Sequence, residues 1–237
     1  MSRVRIYIEP QKIAEAIVIE EKAMVHKLKN VLRLKKDNEL YVFDGKGEEY
    51  LYKINNNVRN RIYVEKIRRE RKEDIPARRI ALGFPLTKEE RVDFILQKAT
   101  ELGALSFIPF DCERCAHKVP SSKRFERWKK IIVEATRQSG RLWIPELQPV
   151  MSFKNIVETS FPVKLAASIK GMGAKRVIDT QWGHILIVVG PEGDLSESEE
   201  KLLKENNFHF IKLADYLLRV ETAAVFAVGL ISHLLAE

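Results

Sequence analysis

The chain has 237 residues, of which 45% are hydrophobic and 31% charged, and its formal net charge at pH 7 is +8. This length allows one large domain or two smaller ones, and the apolar fraction is too high for a disordered chain. No apolar run approaches the roughly 20 residues that span a bilayer, and the N-terminus lacks the apolar stretch of a signal peptide. The sequence therefore predicts a globular, cytoplasmic protein.

The excess positive charge is concentrated in the N-terminal third. Residues 1–72 hold 18 Lys and Arg against 11 Asp and Glu, whereas the remainder holds 23 against 22. Such an asymmetry is typical of a protein that binds a polyanion. A solvated Lys/Glu-rich surface, of the kind that thermophilic proteins favour, accounts for it equally well, so charge alone does not decide.

Short strands around one basic helix are predicted in the N-terminal third. The expected strands are Val4–Ile8, Glu39–Phe43, Glu49–Ile54 and Arg61–Ile67, and the expected helix is Ala23–Leu34. A turn at 44–47 has glycines where a positive φ is tolerated. Several short strands of this kind indicate a small β-barrel. The charged segment Arg68–Arg79, which contains Pro76 and no hydrophobic periodicity, predicts a linker.

Strands and helices alternate after this segment, which indicates a mostly parallel α/β sheet. The expected strands are Arg79–Phe84, Ser106–Phe110, Val163–Ile169, Ile185–Val189 and Phe208–Leu213. The expected helices are Lys88–Leu102, Ser122–Gln138, Glu197–Asn206 and Thr222–Leu235. The last helix is apolar almost all round, so it must be buried within the domain or against another subunit.

The strongest candidate for a ligand site is the loop Gly190-Pro191-Glu192-Gly193, which follows a fully apolar strand. Ligands of open α/β sheets bind beyond the carboxyl ends of the strands, and glycines let the backbone approach them closely. Ser196 and Glu199 have the spacing of a capping box that starts the next helix. The alternative is an ordinary, well-capped connection. Gly171-Met172-Gly173 lacks the spacing of a dinucleotide fingerprint and is interpreted as a loop.

Two further segments place charged or amide side chains at the ends of predicted elements. Arg219 and Glu221 are flanked by apolar residues after the last strand. Since buried charge is costly unless paired, they either form ion pairs or serve a ligand. Gln138 and Arg141 follow a helix, where they suit phosphate or base contacts. Charge there also complements the helix dipole, which is the alternative explanation.

The only two cysteines, Cys112 and Cys115, form a C-x-x-C pair. A structural zinc site needs four ligands, and His117 supplies only a third nearby. The pair also lacks the strand-to-helix setting of a redox-active dithiol. The sequence therefore argues against a metal or redox role and predicts no bound metal.

Taken together and in this order, five sets of motifs resemble the ribosomal RNA small-subunit uracil-N3 methyltransferase family (RsmE), a branch of the SPOUT methyltransferases. They are Val31–Leu34 with Phe43–Gly47, Lys98–Gly103, Glu134-Ala135 with Gln138–Arg141, Gly190–Gly193, and Leu217–Arg219 with Glu221–Ala223. The resemblance spans nearly the whole chain. Two departures are Asp194-Leu195, where the family has Gly-Phe, and Ala214 and Tyr216, where it has Gly and commonly Arg.

The resemblance implies an α/β fold with two domains. Residues 1–72 would form a PUA-like, RNA-binding β-barrel. Residues 73–237 would form a SPOUT domain with a deep trefoil knot, an exception to the usual unthreaded topology. The knot and the S-adenosylmethionine site would occupy roughly residues 163–237. It further implies a homodimer that methylates N3 of a uridine in 16S rRNA of the 30S subunit.

The same resemblance, with the chemistry of the residues, assigns candidate site residues. Those expected to bind S-adenosylmethionine are Leu165, Ala167, Ile169, Val189, Gly190, Pro191, Glu192, Gly193, Leu213, Leu217, Leu218, Thr222 and Ala223. Those expected to act in catalysis are Arg219, Glu221 as the base or its orienter, and Glu192 as the second choice. Those expected to contact RNA are His26, Lys27, Lys29, Arg33, Lys35, Lys36, Arg114, Gln138 and Arg141. The alternatives are methylation of tRNA or of a ribose 2′-hydroxyl, or a non-catalytic RNA-binding or ribosome-assembly factor.

Overall fold

A computed structural model describes residues 3–115 and 119–236. The chain divides into two compact units. The N-terminal unit comprises the residues up to Ile75 together with Gly140–Ile144, and the C-terminal unit comprises Pro76–Ser139 and the residues from Pro145 onward. None of the helices within the described ranges is long and apolar enough to cross a membrane.

The N-terminal unit is built on a five-stranded sheet of order β1-β3-β4-β5-β2. Its strands are β1 (Arg5–Tyr7), β2 (Ala16–Ile19), β3 (Glu39–Phe43), β4 (Glu48–Val58) and β5 (Arg61–Lys72). β1 runs parallel to β3, and the other neighbours are antiparallel. A 3₁₀ turn (Pro10–Lys12), helix α1 (Lys22–His26) and a π-helical turn (Lys27–Val31) complete the unit. Leu28, Leu40, Val42, Tyr52 and Ile54 are among its fully buried side chains.

Three predictions for this unit need correction. The segment Arg68–Lys72 is not a linker but the end of β5, because it pairs with β4 and sets Arg71 opposite Glu49 and Lys72 opposite Glu48. Opposite charges across a strand pair stabilise it without any hydrophobic alternation. β2 was not predicted. The predicted helix also ends before Arg33, whose φ is 53°.

Gly140–Ile144 is held by a buried ionic cluster of the N-terminal unit. Glu49, which is 1% exposed, accepts hydrogen bonds from Arg5 at 2.5 Å and Arg71 at 3.0 Å. The same two guanidinium groups donate to backbone carbonyls, Arg5 to Arg141 at 3.0 Å and Arg71 to Gly140 at 2.8 Å. One carboxylate thus orients both guanidinium groups toward this short segment.

The C-terminal unit is built on a seven-stranded parallel sheet, which confirms the predicted α/β fold. Six strands have the order β12-β10-β11-β6-β7-β8, and β9 also pairs with β7. The strands are β6 (Arg79–Pro85), β7 (Ala104–Asp111), β8 (Glu146–Leu147), β9 (Met151–Ser152), β10 (Val163–Gly173), β11 (His184–Val188) and β12 (His209–Lys212). The helices are α2 (Glu89–Glu101), α3 (Ser122–Ser139), α4 (Phe153–Val157), α5 (Ala174–Val177), α6 (Glu197–Glu205) and α7 (Val220–Ala236).

The core of this unit surrounds β11. Residues 185–189 are all buried, as expected of a parallel strand covered on both faces. α7 buries Ala224, Ala227, Val228 and Ile231, so most of this apolar helix is accommodated within the unit, although Phe226 remains 44% exposed.

The segment Gly171-Met172-Gly173, predicted as a loop, lies in β10. The pairing of β10 with β12 is interrupted between Ala167 and Met172, where the register shifts. Next to the position where the pairing resumes, a Cβ on Gly171 would lie 2.6 Å from the backbone carbonyl carbon of Ile211. Only glycine lets the two strands approach so closely.

Candidate functional site

A cavity of about 380 Å³ lies beyond the carboxyl ends of β11 and β12 and beside residues 167–169 of β10, where the pairing of β10 with β12 is interrupted. β10 lies between the other two in the sheet, so the chain passes to opposite sides of β10 in forming β11 and β12. A reversal of strand order of this kind creates a crevice in which α/β proteins bind ligands. The volume falls within the range of small-molecule sites, which is roughly 300–1,000 Å³.

Most of the residues predicted to bind the cofactor line this cavity. They are Ala167, Ile169, Val189, Gly190, Pro191, Glu192, Leu213, Leu217, Leu218 and Ala223. Leu165, Gly193 and Thr222 do not line it; Leu165 is fully buried, and Gly193 and Thr222 are exposed. The cavity is also lined by Ser168, Ala214 and Tyr216, which lie in segments 165–169 and 211–218 that the sequence predicts to enclose the cofactor, and by Asp194 and Val220, which the sequence did not predict.

The loop after β11 is fixed by local hydrogen bonds. Asp194 has a φ of 58°, its amide donates to the Pro191 carbonyl at 3.0 Å, and its carboxylate accepts from the Leu195 amide at 2.9 Å. The left-handed region suits Gly best, and Asp tolerates it when its side chain bonds locally. The predicted capping box is confirmed: Ser196 accepts from the Glu199 amide, and Glu199 accepts from the Ser196 amide.

The segment around the cysteines holds the far side of this loop. The Arg114 guanidinium donates to the carbonyl of Gly193 at 2.7 Å, and the Glu113 amide donates to the Glu199 carboxylate at 3.0 Å. Cys112 and Cys115 are joined by a disulfide, which the sequence did not predict. His117 lies outside the described residues. Within the described ranges, no group of three or more His, Cys, Asp or Glu side chains could hold a metal ion.

Two acidic candidates share one arginine. Arg91, near the start of α2, forms an ion pair with Glu192 and lies 3.6 Å from the Glu221 carboxylate. The Thr87 hydroxyl also donates to Glu192 at 2.7 Å. Glu192 lines the cavity, whereas Glu221 does not. Thr87 and Arg91 were missed because only tertiary contacts, and no pattern along the chain, connect α2 with this loop.

Arg219 and Glu221 do not pair with each other. Arg219 is exposed, lines the cavity and has neither an ion pair nor a side-chain hydrogen bond to any residue that the structure describes. It is therefore a cation available to an anionic or electron-rich ligand. The Glu221 Oε2 atom is buried and has no hydrogen bond beyond its ionic contact with Arg91.

The predicted RNA contacts fall into two groups. His26, Arg33, Lys35 and Lys36 are exposed, and Lys27 and Lys29 are half-buried. Lys29 also donates to the Arg59 carbonyl at 3.1 Å.

The other three candidates are already engaged within the protein. Arg114 bonds the glycine loop, and Gln138 donates to Glu134 at 3.2 Å. Burial lowers the pKa of Arg141 to about 10, because removal from water disfavours its charged form. These three are therefore weaker candidates for RNA contact than the exposed basic side chains after α1.

Models of two protein families match the chain. The model described as an RNA methyltransferase domain matches residues 73–232, and that described as an RNA methyltransferase PUA domain matches residues 26–67. Among curated relatives, the ribosomal RNA small subunit methyltransferase E of Bacillus subtilis is 31% identical over 98% of this chain and 96% of its own. The protein of the same name from Aquifex aeolicus is 34% identical over 86% and 89%.

Solved structures extend this similarity to the whole fold. The ribosomal RNA small subunit methyltransferase E of Neisseria gonorrhoeae bound to S-adenosyl methionine superposes with a TM-score of 0.87, at 28% identity over 98% of both chains. A putative methyltransferase from Legionella pneumophila in complex with the same cofactor gives a TM-score of 0.90, at 26% identity over 98% of both chains.

Proposed function

The chain belongs to the ribosomal RNA small subunit methyltransferase E family, and we propose that it transfers a methyl group from S-adenosylmethionine to N3 of a uridine in 16S rRNA. The observation that carries this proposal is the cavity at β10, β11 and β12, which is lined by Arg219, an arginine without an ion pair among the residues that the structure describes. The two cofactor-bound structural relatives support the choice of methyl donor.

The residues of the cavity fit S-adenosylmethionine. Val189, Leu213, Leu218 and Val220 offer apolar surface to an adenine ring, and Glu192 adds a carboxylate suited to a cationic or hydroxyl-bearing ligand. When bound, the cofactor supplies an electrophilic methyl group. The protein contributes orientation of the two reactants, which is worth up to roughly 7–11 kcal/mol, and removal of the N3 proton.

Arg219 and Glu192 are the groups best placed to act on the base. Deprotonation at N3 increases the negative charge on the neighbouring uracil oxygens, which a cation such as Arg219 stabilises. Proton removal needs an acceptor within hydrogen-bonding reach of N3, and a positioned base contributes about 10²–10⁴-fold. Glu192 lines the cavity and Glu221 does not, so we assign the base to Glu192 and an orienting role, through Arg91, to Glu221.

We propose that the chain has two domains and that it pairs as a homodimer. The N-terminal domain, residues 1–72, forms a PUA-like barrel that stays open between β1 and β2, and its exposed cations after α1 contact phosphate. The C-terminal domain, residues 73–237, contains the trefoil knot and pairs as a homodimer in the cytoplasm, where 30S subunits are assembled. The exposed apolar side chains of α2 and α7, Phe94 at 46% and Phe226 at 44%, support an interface between copies.

Single-turnover methylation of undermodified 30S subunits at saturating cofactor tests these roles. We expect Arg219→Ala and Glu192→Gln to lower the rate at least about 10²-fold, and Glu221→Gln to lower it less. Asp215→Asn is the matched control, because Asp215 is exposed in the same loop and does not line the cavity. Near wild-type rates for Arg219→Ala and Glu192→Gln, with cofactor bound, would contradict the assignment.

A further inference from the structure

The two edge strands of the N-terminal sheet, β1 and β2, leave a gap between them. β1 pairs only with β3 and β2 only with β5 among the described residues. A second cavity, of about 530 Å³, lies between these edges and is lined by residues of both strands. We call this gap the edge seam; it is distinct from the cavity beside Arg219.

Backbone hydrogen-bonding groups face into the edge seam. The Ile8 amide donates to Phe43 and the Val4 carbonyl accepts from Tyr41, so alternation along β1 turns the backbone of Tyr7 away from β3. The Glu15 carbonyl accepts from the Lys66 amide, so alternation turns the backbone of Ala16 and Val18 away from β5. These outward groups have no hydrogen-bond partner within the part of the chain that the structure describes. The seam therefore has a free edge on each side.

The floor of the edge seam is apolar. Ile6 is 2% exposed and Ile19 is 6% exposed, and both line the cavity with Met24. Val18 is 45% exposed on the edge itself. Natural proteins usually protect free edges by pairing, charge or Pro, and an unpaired edge beside an apolar floor accepts an extended segment as an added strand.

The rim of the seam is acidic, although the chain as a whole has a net charge of +8. The cavity is lined by Glu9, Glu20 and Glu21 against one cation, Lys12. Glu9 pairs with Lys12 at 2.7 Å and Glu20 with Arg61 at 2.9 Å. Glu21 is exposed and has no ion pair within the described ranges. Such a rim repels a phosphate backbone and attracts a cationic partner.

We propose that the edge seam binds an extended, basic polypeptide segment that adds a strand between β1 and β2. Apolar side chains of the segment contact Ile6 and Ile19, and its cationic side chains face the acidic rim. The four residues of β2 span about 13 Å at ~3.3 Å per residue, so about four residues of a partner are held. The protein thus has a site for a basic protein separate from its cations for RNA.

Fluorescence anisotropy with the full-length chain tests the proposal. The probe is a labelled seven-residue peptide of alternating valine and lysine, and the matched peptides have glutamate for lysine or methylated alternate amides. We expect saturable binding of the lysine peptide below about 1 mM, at least tenfold weaker binding of the glutamate peptide, and loss of binding on methylation. Equal affinities for all three peptides would overturn the proposal. It would also be overturned if oligouridine displaced the lysine peptide, or if self-association of the protein released it.

Two variants locate the site. Glu21→Lys reverses the unpaired rim charge, and Val18→Pro removes an outward-facing amide from β2. We expect each to weaken binding of the lysine peptide at least about threefold, with methylation activity unchanged. Glu39→Lys is the matched control, since Glu39 is an exposed acid of β3 that does not line the seam. If Glu21→Lys and Glu39→Lys leave the same affinity, the peptide binds elsewhere and the assignment is wrong.

Discussion

Asp194 shows how this chain builds the loop after β11 without the glycine that the family pattern has at this position. Its φ of 58° lies where an L-residue is disfavoured by about 1–2 kcal/mol, and its hydrogen bond to the Leu195 amide offsets part of that strain. A local bond of this kind is worth about 0.5–1.5 kcal/mol. Asp194→Ala keeps the strain and loses the bond, so we expect the folded, cofactor-bound state to lose about 0.5–1.5 kcal/mol. Asp194→Gly loses the bond but also the strain, so the free energy of the folded, cofactor-bound state should change by less than about 0.5 kcal/mol.

Two measurements are needed, because the lost free energy can appear as lower stability of the fold, as weaker cofactor binding, or as both. Denaturant titration gives the change in the free energy of unfolding, and calorimetry gives the change in cofactor affinity, where 1.4 kcal/mol is tenfold in Kd. Their sum should follow the order Gly ≈ Asp ≈ Asn above Ala, because Asn retains a side-chain oxygen for the Leu195 amide. If Ala matched Gly, the left-handed conformation at Asp194 would not be under strain and the reasoning would fail.

Three further predictions concern the contact of Gly171 with β12, the hydrogen bond from Arg114 to the loop after β11, and the lysines expected to contact RNA. Gly171→Ala should destabilise the protein by about 2–3 kcal/mol in denaturant titrations, because the added Cβ would lie 2.6 Å from the Ile211 backbone. Gly173→Ala is the control and should be nearly neutral, because a Cβ there meets nothing within 4 Å. Arg114→Ala should weaken S-adenosylmethionine binding about three- to tenfold by calorimetry, with exposed Arg176→Ala as an unaffected control. Replacing exposed Lys35 and Lys36 by alanine should reduce the salt dependence of RNA binding by about 1.4–1.8 in log–log slope, and an unchanged slope would remove these lysines from the interface.

Local signals predicted several elements of both units. The apolar run of β11, the capping box at Ser196 and the basic stretch after α1 each depend on residues close together in the chain, so their positions could be predicted. Features that depend on distant partners could not. The end of β5 is a strand only because Glu48 and Glu49 lie opposite its basic residues, and Gly171 is required only because β12 passes against it.

The same distinction applies to the candidate site. Arg219 could be identified from its position after the last strand, and the structure leaves it unpaired among the described residues beside the cavity. Arg91 could not, because its only connection to Glu192 and Glu221 is through space. The catalytic and RNA-binding roles of individual residues stay predictions, as does the division of the chain after residue 72.

The central claim is methyl transfer from S-adenosylmethionine to N3 of a uridine in 16S rRNA. The most direct test incubates the protein with methyl-labelled cofactor and undermodified 30S subunits, with tRNA in parallel, and then digests and maps the labelled nucleoside. We expect one labelled position in 16S rRNA, recovered as N3-methyluridine, and none in tRNA. Label in tRNA, on a ribose 2′-hydroxyl, or on no RNA at all would contradict it.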